Sequence, residues 1–585
     1  MSVKVMSLAG DFDLVGREQW MDLVTKVLKG AHFDKALTHT TYDGIQIQPL
    51  YTGADHAGDD SLPGQFPFTR GSDAVGGVWQ VRQAHSRATG NSAVLEDLAG
   101  GVDAIELHIY DETSLAELQE LLIGVPVTVP IMLAPGSEVA ISPLCELWES
   151  WGVPKEDTAG GFGMNPRDPQ VGEVVTKTLS LGCESLLVAT VNAAALADQG
   201  ATEAQELAGS LADGVAYLRH CEQADVDLAV AAGKLEFRYT AGVDQFLTIA
   251  KLRAARRLWA RVAQACGLGP VAQRQHVVTA GTIMTRRDPW VNMIRTTVAC
   301  FAAAVGGANS VSVSPFDAAI GVPDPLGLRI ARNTQLLLRE ESHIGQVIDP
   351  AGGSYYVESL TDALVTVAWG LFQEISAGAS LDERITLARS ARAKDIATRK
   401  LPLTGISEFP DLAEETLTRL PWAEQGSQVS SQAATSQLPQ VSHHRLAACF
   451  EALRDAADES TNATGQRPQV FLASLGPLAV HNVRSTFATN FLAAGGIGVM
   501  ASEGFASAEL AAQAWADSGS SLAVVCASDA MYQDHAATTV SALKAAGCRH
   551  VLLAGRPDDR WGADGYIYLG CDVLAVLQDI HKRLS

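Results

Sequence analysis

The sequence predicts an α/β protein in two parts, a (β/α)8 TIM barrel followed by a flavodoxin-like doubly wound domain. Three observations predict it. Between about residue 75 and residue 400, short apolar runs alternate with longer amphipathic segments, the pattern of repeated βα units around a parallel sheet. Beyond a polar stretch, five more such runs recur between residues 469 and 569. The chain of 585 residues, 47% of them hydrophobic, is too long for one compact core and apolar enough to fill two or three.

Taken in order, residues 1–70 read as a helix over Arg17–Leu28 and an irregular arm rich in Gly, Asp and Pro. Residues 71–400 carry the barrel, with candidate strands at 104–110, 127–133, 185–191, 235–240, 276–280 and 310–313. Several βα units over this length favour a closed barrel over an open sheet. Residues 401–465 are expected to be a linker, because SQVSSQAATSQLPQVSHH (427–444) has no charge before its histidines and no helical or strand period. Those histidines read as solvated rather than as ligands. Residues 466–585 form the second domain, with strands expected at 469–475, 497–500, 522–527, 550–554 and 566–569 separated by helical segments.

Charge narrows the partners. With 43 basic against 66 acidic residues and a formal charge of -23, the chain should repel nucleic acid and anionic membrane surfaces. Arg253, Arg256, Arg257 and Arg261 fall at helical spacing and read as a solvated or ion-paired helix face rather than a phosphate site. Nine cysteines lie far apart without a Cys-x-x-Cys, as expected of reduced thiols in a cytoplasmic protein. The apolar stretch 302–313 is broken by Gly306, Gly307, Asn309 and two serines, so it is expected in a core and not in a membrane.

The segments DPAGGSYYVE (349–358) and RIARNTQ (329–335) resemble barrel signatures of the methylmalonyl-CoA mutase family. The resemblance continues through QPLYT (48–52), PGQFPFTRG (63–71), AKLRAARRLW (250–259) and IRTT (294–297), and runs from about residue 40 to the C-terminus. It implies a barrel and a cobalamin-binding-type domain enclosing adenosylcobalamin between them. Members of the family use that cofactor to interconvert methylmalonyl-CoA and succinyl-CoA by a radical rearrangement, the cofactor supplying the chemistry and the protein the enclosure.

Against that pattern, this chain departs at each site. Active members carry a Tyr-His pair before Gly-Ala-Thr; anchoring on Gly200-Ala201-Thr202 sets Ala194 and Ala195 opposite it. A methyl group neither hydrogen-bonds a thioester carbonyl nor steers a proton. The interval that holds a tyrosine and an arginine in active members reads here Ala74-Val75-Gly76-Gly77-Val78-Trp79. In the cobalt-ligating pattern Asp-x-His-x-x-Gly, the three defining positions are Leu478, Val480 and Val483. His481 lies one residue beyond the ligand position, without the carboxylate that would orient it or the glycine that would turn the chain. Ser528 survives from the elements that line the cofactor's nucleotide tail, whereas Ala530 and Arg556 do not match them.

Loss of substrate and cofactor positions together implies a chain kept for its fold. Within the family the resemblance is to the small, non-catalytic chains that pair with a full-length catalytic large subunit as a heterodimer. By that resemblance adenosylcobalamin is expected on the large subunit, this chain contributes no catalytic, cofactor-binding or metal-binding residue, and its N-terminal arm and domain faces bury surface against the partner. Two alternatives stay open: an active acyl-CoA mutase with a redesigned site, for which Asp198 is the nearest titratable group although it reads as a solvated helix acid, and a separable regulatory or scaffold partner of a mutase.

Overall fold

A computed structural model describes residues 15–55, 61–421 and 444–584. The serine- and glutamine-rich stretch 427–444 falls, but for His444, outside the described residues. A two-stranded antiparallel pair, β1 (His39–Thr40) and β2 (Gln46–Ile47), lies in the arm. Eight parallel strands then close into a barrel: β3 (Gln80–His85), β4 (Ala104–Leu107), β5 (Ile131–Leu133), β6 (Gly160–Met164), β7 (Leu186–Asn192), β8 (Leu235–Ala241), β9 (Gln275–Thr279) and β10 (Ser310–Ser312), with β10 pairing β3.

Two barrel strands carry no signal of the kind that predicts the other six. β3 reads QVRQAH, in which only Val81 and Ala84 are apolar and no apolar run forms. β6 reads GGFGM, and its Gly160 and Gly163 have φ of +149° and +64°, a backbone that side chains avoid. A Cβ at Gly163 would approach the Ala134 carbonyl carbon at 3.1 Å, so close contact between neighbouring strands holds glycine there.

Beyond the barrel, β11 (Gln469–Ser474), β12 (Gly498–Met500), β13 (Leu522–Cys526), β14 (His550–Ala554) and β15 (Gly565–Ile567) form a parallel sheet in the order β12-β11-β13-β14-β15. That order reverses between β11 and β13, and the crevice at their carboxyl ends is where doubly wound domains hold a ligand. Helix Ala448–Thr464 occupies the end of the stretch read as linker, and packs Phe450 and Leu453 into the core that also holds Val470, Phe491 and Leu552. Its apolar residues recur at helical spacing. No helix among the described residues is long and apolar enough to cross a membrane.

The arginines of helix Gln245–Ala265 do not form a solvated face. Arg253 is fully buried and pairs with Asp349 and with Glu358, while Arg256 donates to the Phe68 and Thr69 carbonyls at 3.0 Å. The DPAGGSYYVE and TRG segments thus meet on this helix, and only Arg257, held by Asp362, and Arg261 reach the surface.

Candidate functional site

In a barrel, alternate residues of each strand point inward, and here the inward positions carry charge. Arg82 on β3 reaches across the lumen to Glu236 on β8 with two parallel hydrogen bonds of 2.9 Å. Arg238, two residues along β8, crosses to Glu106 on β4 at 2.6 Å. Glu106 is the hub: His108 Nε2 lies at 2.8 Å, His276 Nε2 of β9 at 3.2 Å and Arg82 at 3.7 Å. His276 Nδ1 is 2.9 Å from the Ser310 hydroxyl, and His108 Nδ1 is 2.9 Å from the Tyr110 hydroxyl. All six of these charged or imidazole side chains are buried.

Two arginines and two glutamates make this cluster neutral when its histidines are neutral, and the histidines are held so. Burial and the neighbouring Arg82 push His276 down to about 4. Burial also lowers His108, partly offset by Glu106. Burial opposes ionisation of both glutamates, yet Arg82 brings Glu236 to about 2, and Arg238 with the two histidines holds Glu106 well below the usual carboxylate range. The lumen is therefore crossed by side chains paired with one another, with Arg82 Nε left without a hydrogen bond. Sequence reasoning missed all six residues; the available signal was alternation, Glu106-Leu-His108 and Glu236-Phe-Arg238, on strands expected to be plainly apolar.

At the carboxyl end of β7 the chain passes through Ala193 into a short helix, Ala194–Asp198. Ala194 is buried and Ala195 half-buried, and their methyl groups offer no donor or acceptor. Gly200 has φ of +100°. Thr202 then caps helix Glu203–Gln223, and its hydroxyl donates to Asp43 of the arm. Asp198 is half-buried rather than solvated, and burial, with Glu206 adding to it against the pull of Arg238, raises its carboxyl to about 7. Beside it Glu206 accepts from the Thr240 amide at 2.8 Å and pairs with buried Lys251. The interval 74–79 does not join this mouth. It immediately precedes β3, at the amino end of the strands, where Val75 and Val78 are exposed and Trp79 donates to Gln335 at 3.1 Å.

The second domain offers equally little to a large cofactor. Only Leu475, Gly476 and Pro477 separate β11 from helix Leu478–Ala494, so the positions corresponding to the cobalt-ligating turn are already helical. Leu478 and Val483 are 63% and 80% exposed, Val480 is half-buried, and none carries an atom able to ligate cobalt. His481 turns inward, with Nδ1 3.3 Å from the Ser485 hydroxyl and Nε2 3.3 Å from the Glu503 carbonyl. A Cβ at Gly504 would stand 3.0 Å from that Nε2, so both ring nitrogens face protein.

Deeper along the same ends, Tyr532 donates to the Val525 and Ala554 carbonyls at 3.1 and 2.9 Å and accepts from the Ala527 amide at 3.0 Å. Arg484 stacks on its ring at 5.4 Å, donates to the Ala554 carbonyl and pairs with Asp529 at 2.6 Å. A Cβ at Gly555 would meet the Arg484 guanidinium at 2.7 Å. Ser528 acts as the N-cap of helix Asp529–Ala545, Ala530 is exposed on its first turn, and Arg556 is exposed. The residues present do not fit a nucleotide tail between β13 and β14. Among the described residues no group of three His, Cys, Asp or Glu side chains is placed to hold a metal ion.

A family model described as methylmalonyl-CoA mutase matches residues 183–480. Over 99% of its length the chain is 42% identical to the methylmalonyl-CoA mutase small subunit of Streptomyces virginiae, covering 98% of that protein. It is 40% identical, over the whole of both chains, to the probable methylmalonyl-CoA mutase small subunit of Mycobacterium bovis. To the small subunit from Propionibacterium freudenreichii subsp. shermanii it is 34% identical over 98% of its own length and 95% of that relative.

Proposed function

Because this chain belongs to the methylmalonyl-CoA mutase family, we propose that it is the non-catalytic small subunit of a heterodimeric, adenosylcobalamin-dependent, cytoplasmic methylmalonyl-CoA mutase. In this reading the large subunit holds the cofactor and isomerises (R)-methylmalonyl-CoA and succinyl-CoA, and this chain supports it structurally. The observation that carries the reading is the lumen. Catalysis inside a barrel needs open space beside groups that interact with the reacting atoms, and here the Arg82–Glu236 and Arg238–Glu106 pairs, with His276 against Glu106, cross that space.

The arm supports the partner. Helix Arg17–Leu28 has no buried residue, while Leu23 and Val27 are 58% and 78% exposed. A helix this short draws its stability from packing rather than from propensity, so its apolar side chains are the expected contact with the large subunit. The names of the relatives, small subunits of a mutase, favour the same assignment.

Purification of the chain alone and together with the large-chain homologue from the same cell tests this. A lone chain without cobalamin absorbance or turnover, and a stable one-to-one complex with both, is the expected result. Turnover or bound cobalamin in the lone chain would overturn it in favour of a redesigned mutase, for which Asp198, raised to about 7 beside Arg238, is the group to replace first.

A further inference from the structure

A cavity of about 270 Å³ lies where the barrel meets the second domain, and neither Ala194 and Ala195 nor Leu478, Val480 and Val483 line it. Arg287 from the loop after β9, the segment holding Asp411, Glu414 and Thr416, and Arg454 and Asn462 of helix Ala448–Thr464 wall it. Its volume is near the lower end of small-ligand sites. The lining is dominated by charged side chains, which is the opposite of an incidental packing gap between apolar surfaces.

Arg454 sets the chemistry. It is 2% exposed, and its Nη2 donates to the Gly405 and Ile406 carbonyls at 3.2 and 3.1 Å. Its Nε and Nη1 make no hydrogen bond with any described residue. The carboxylate nearest to it, Glu414, stands 3.9 Å from Nη1 and spends its other oxygen on the Asp288 amide at 2.7 Å. A buried guanidinium with two idle nitrogens is costly unless an acceptor meets them.

The surrounding acids are already committed. Asp458 is held by Arg287 at 2.6 Å and by Arg467 at 2.8 Å. Asp455 is held by Arg286 and Arg287 at 2.5 and 2.8 Å, and Glu451 by Arg445 at 2.6 Å. With Asp288, whose charge also acts on Arg454, five arginines face five carboxylates, and Asp411 is exposed at the rim where solvent screens it. What distinguishes Arg454 is that its buried Nε and Nη1 make no hydrogen bond among the described residues.

We infer that this cavity is an oxyanion site, in which an idle N–H of Arg454 donates to an oxygen of a small phosphate or carboxylate. A ligand there bridges the loop after β9 to the helix that leads into the second domain, so its occupancy ties the two domains together.

Calorimetric titration of inorganic phosphate and of malonate into the full-length chain, in chloride of matched ionic strength, tests the site. Saturable one-to-one binding of at least one of the two is expected, and the tighter of them identifies the class. Arg454→Lys, which keeps the charge and loses the idle Nε and Nη1 donors, should weaken it at least tenfold. Asn462→Asp adds a carboxylate on the exposed wall without touching the buried arginine, and should weaken it severalfold even where Arg454→Lys fails to fold. Absence of saturable binding in the parent, or binding unchanged in Asn462→Asp or in folded Arg454→Lys, would overturn the inference.

Discussion

Replacing Glu106 by Gln removes the one carboxylate that three or more cationic or imidazole groups share, while keeping its shape. Arg238 loses its 2.6 Å partner and His276 its 3.2 Å partner, and the lumen is left with two arginines and one glutamate. Breaking a buried ion pair from one side costs about 3–5 kcal/mol. Arg238 sits nearer solvent than Arg82 and has room to relax, which points to the lower part of that range. At about 2–4 °C per kcal/mol for domains of this size, the barrel transition should fall by roughly 6–12 °C. The double variant Glu106→Gln/Arg238→Gln restores neutrality, so its loss should be smaller than the sum of the single losses by roughly 1–3 kcal/mol.

Urea denaturation of the four proteins at pH 7, followed by circular dichroism, measures this. The pH dependence gives an independent reading. His276 titrates at about 4 in the folded chain against its ordinary 6.5, so between these values the unfolded chain takes up a proton that the native one refuses. Stability is therefore expected to be full above about pH 6.5 and to decline toward pH 4, by about 3 kcal/mol across the window from this group. A Glu106→Gln protein within about 1 kcal/mol of the parent, or strictly additive single losses, would show that the network is not the connected, buried unit described here.

Two further outcomes are expected. Asp198→Asn should be more stable than the parent at pH 5 and more so at pH 8, by roughly a further 2–3 kcal/mol, because a carboxyl raised to about 7 in the folded chain is ionised in the unfolded chain from about pH 4 upward and its cost grows until the folded group ionises too; thermal melts at both values decide it. Val27→Asp on helix Arg17–Leu28 should leave the melting temperature of the lone chain within about 1 °C, as expected for an exposed site, yet weaken its complex with the large chain at least tenfold, read by analytical ultracentrifugation or calorimetry.

What the sequence disclosed and what it hid follow from how each feature is encoded. Strands such as Leu186–Asn192 and Leu522–Cys526 are buried on both faces and so stand out as apolar runs. β3 and β6 escape notice because one carries inward charge and the other needs glycine for close backbone approach. The apolar character of the alanines at 194 and 195 and of the leucine and valines at 478, 480 and 483 is legible one residue at a time, since a side chain without polar atoms is a local fact. The lumen network is not: Arg82 and Glu236 are separated by 154 positions, and only closure of the barrel brings them together. Arg454 shows the same limit, its burial being set by a turn at 405–406 that no local pattern connects to it.

The three-residue passage from β11 into helix Leu478–Ala494 also bears on reversibility. Were Val480 exchanged for histidine and Leu478 for aspartate, the new side chains would project from the first turn of a helix whose backbone is already fixed, with Pro477 at its amino cap. Those two exchanges alone would leave the helix start in place and His481 still seated against Gly504.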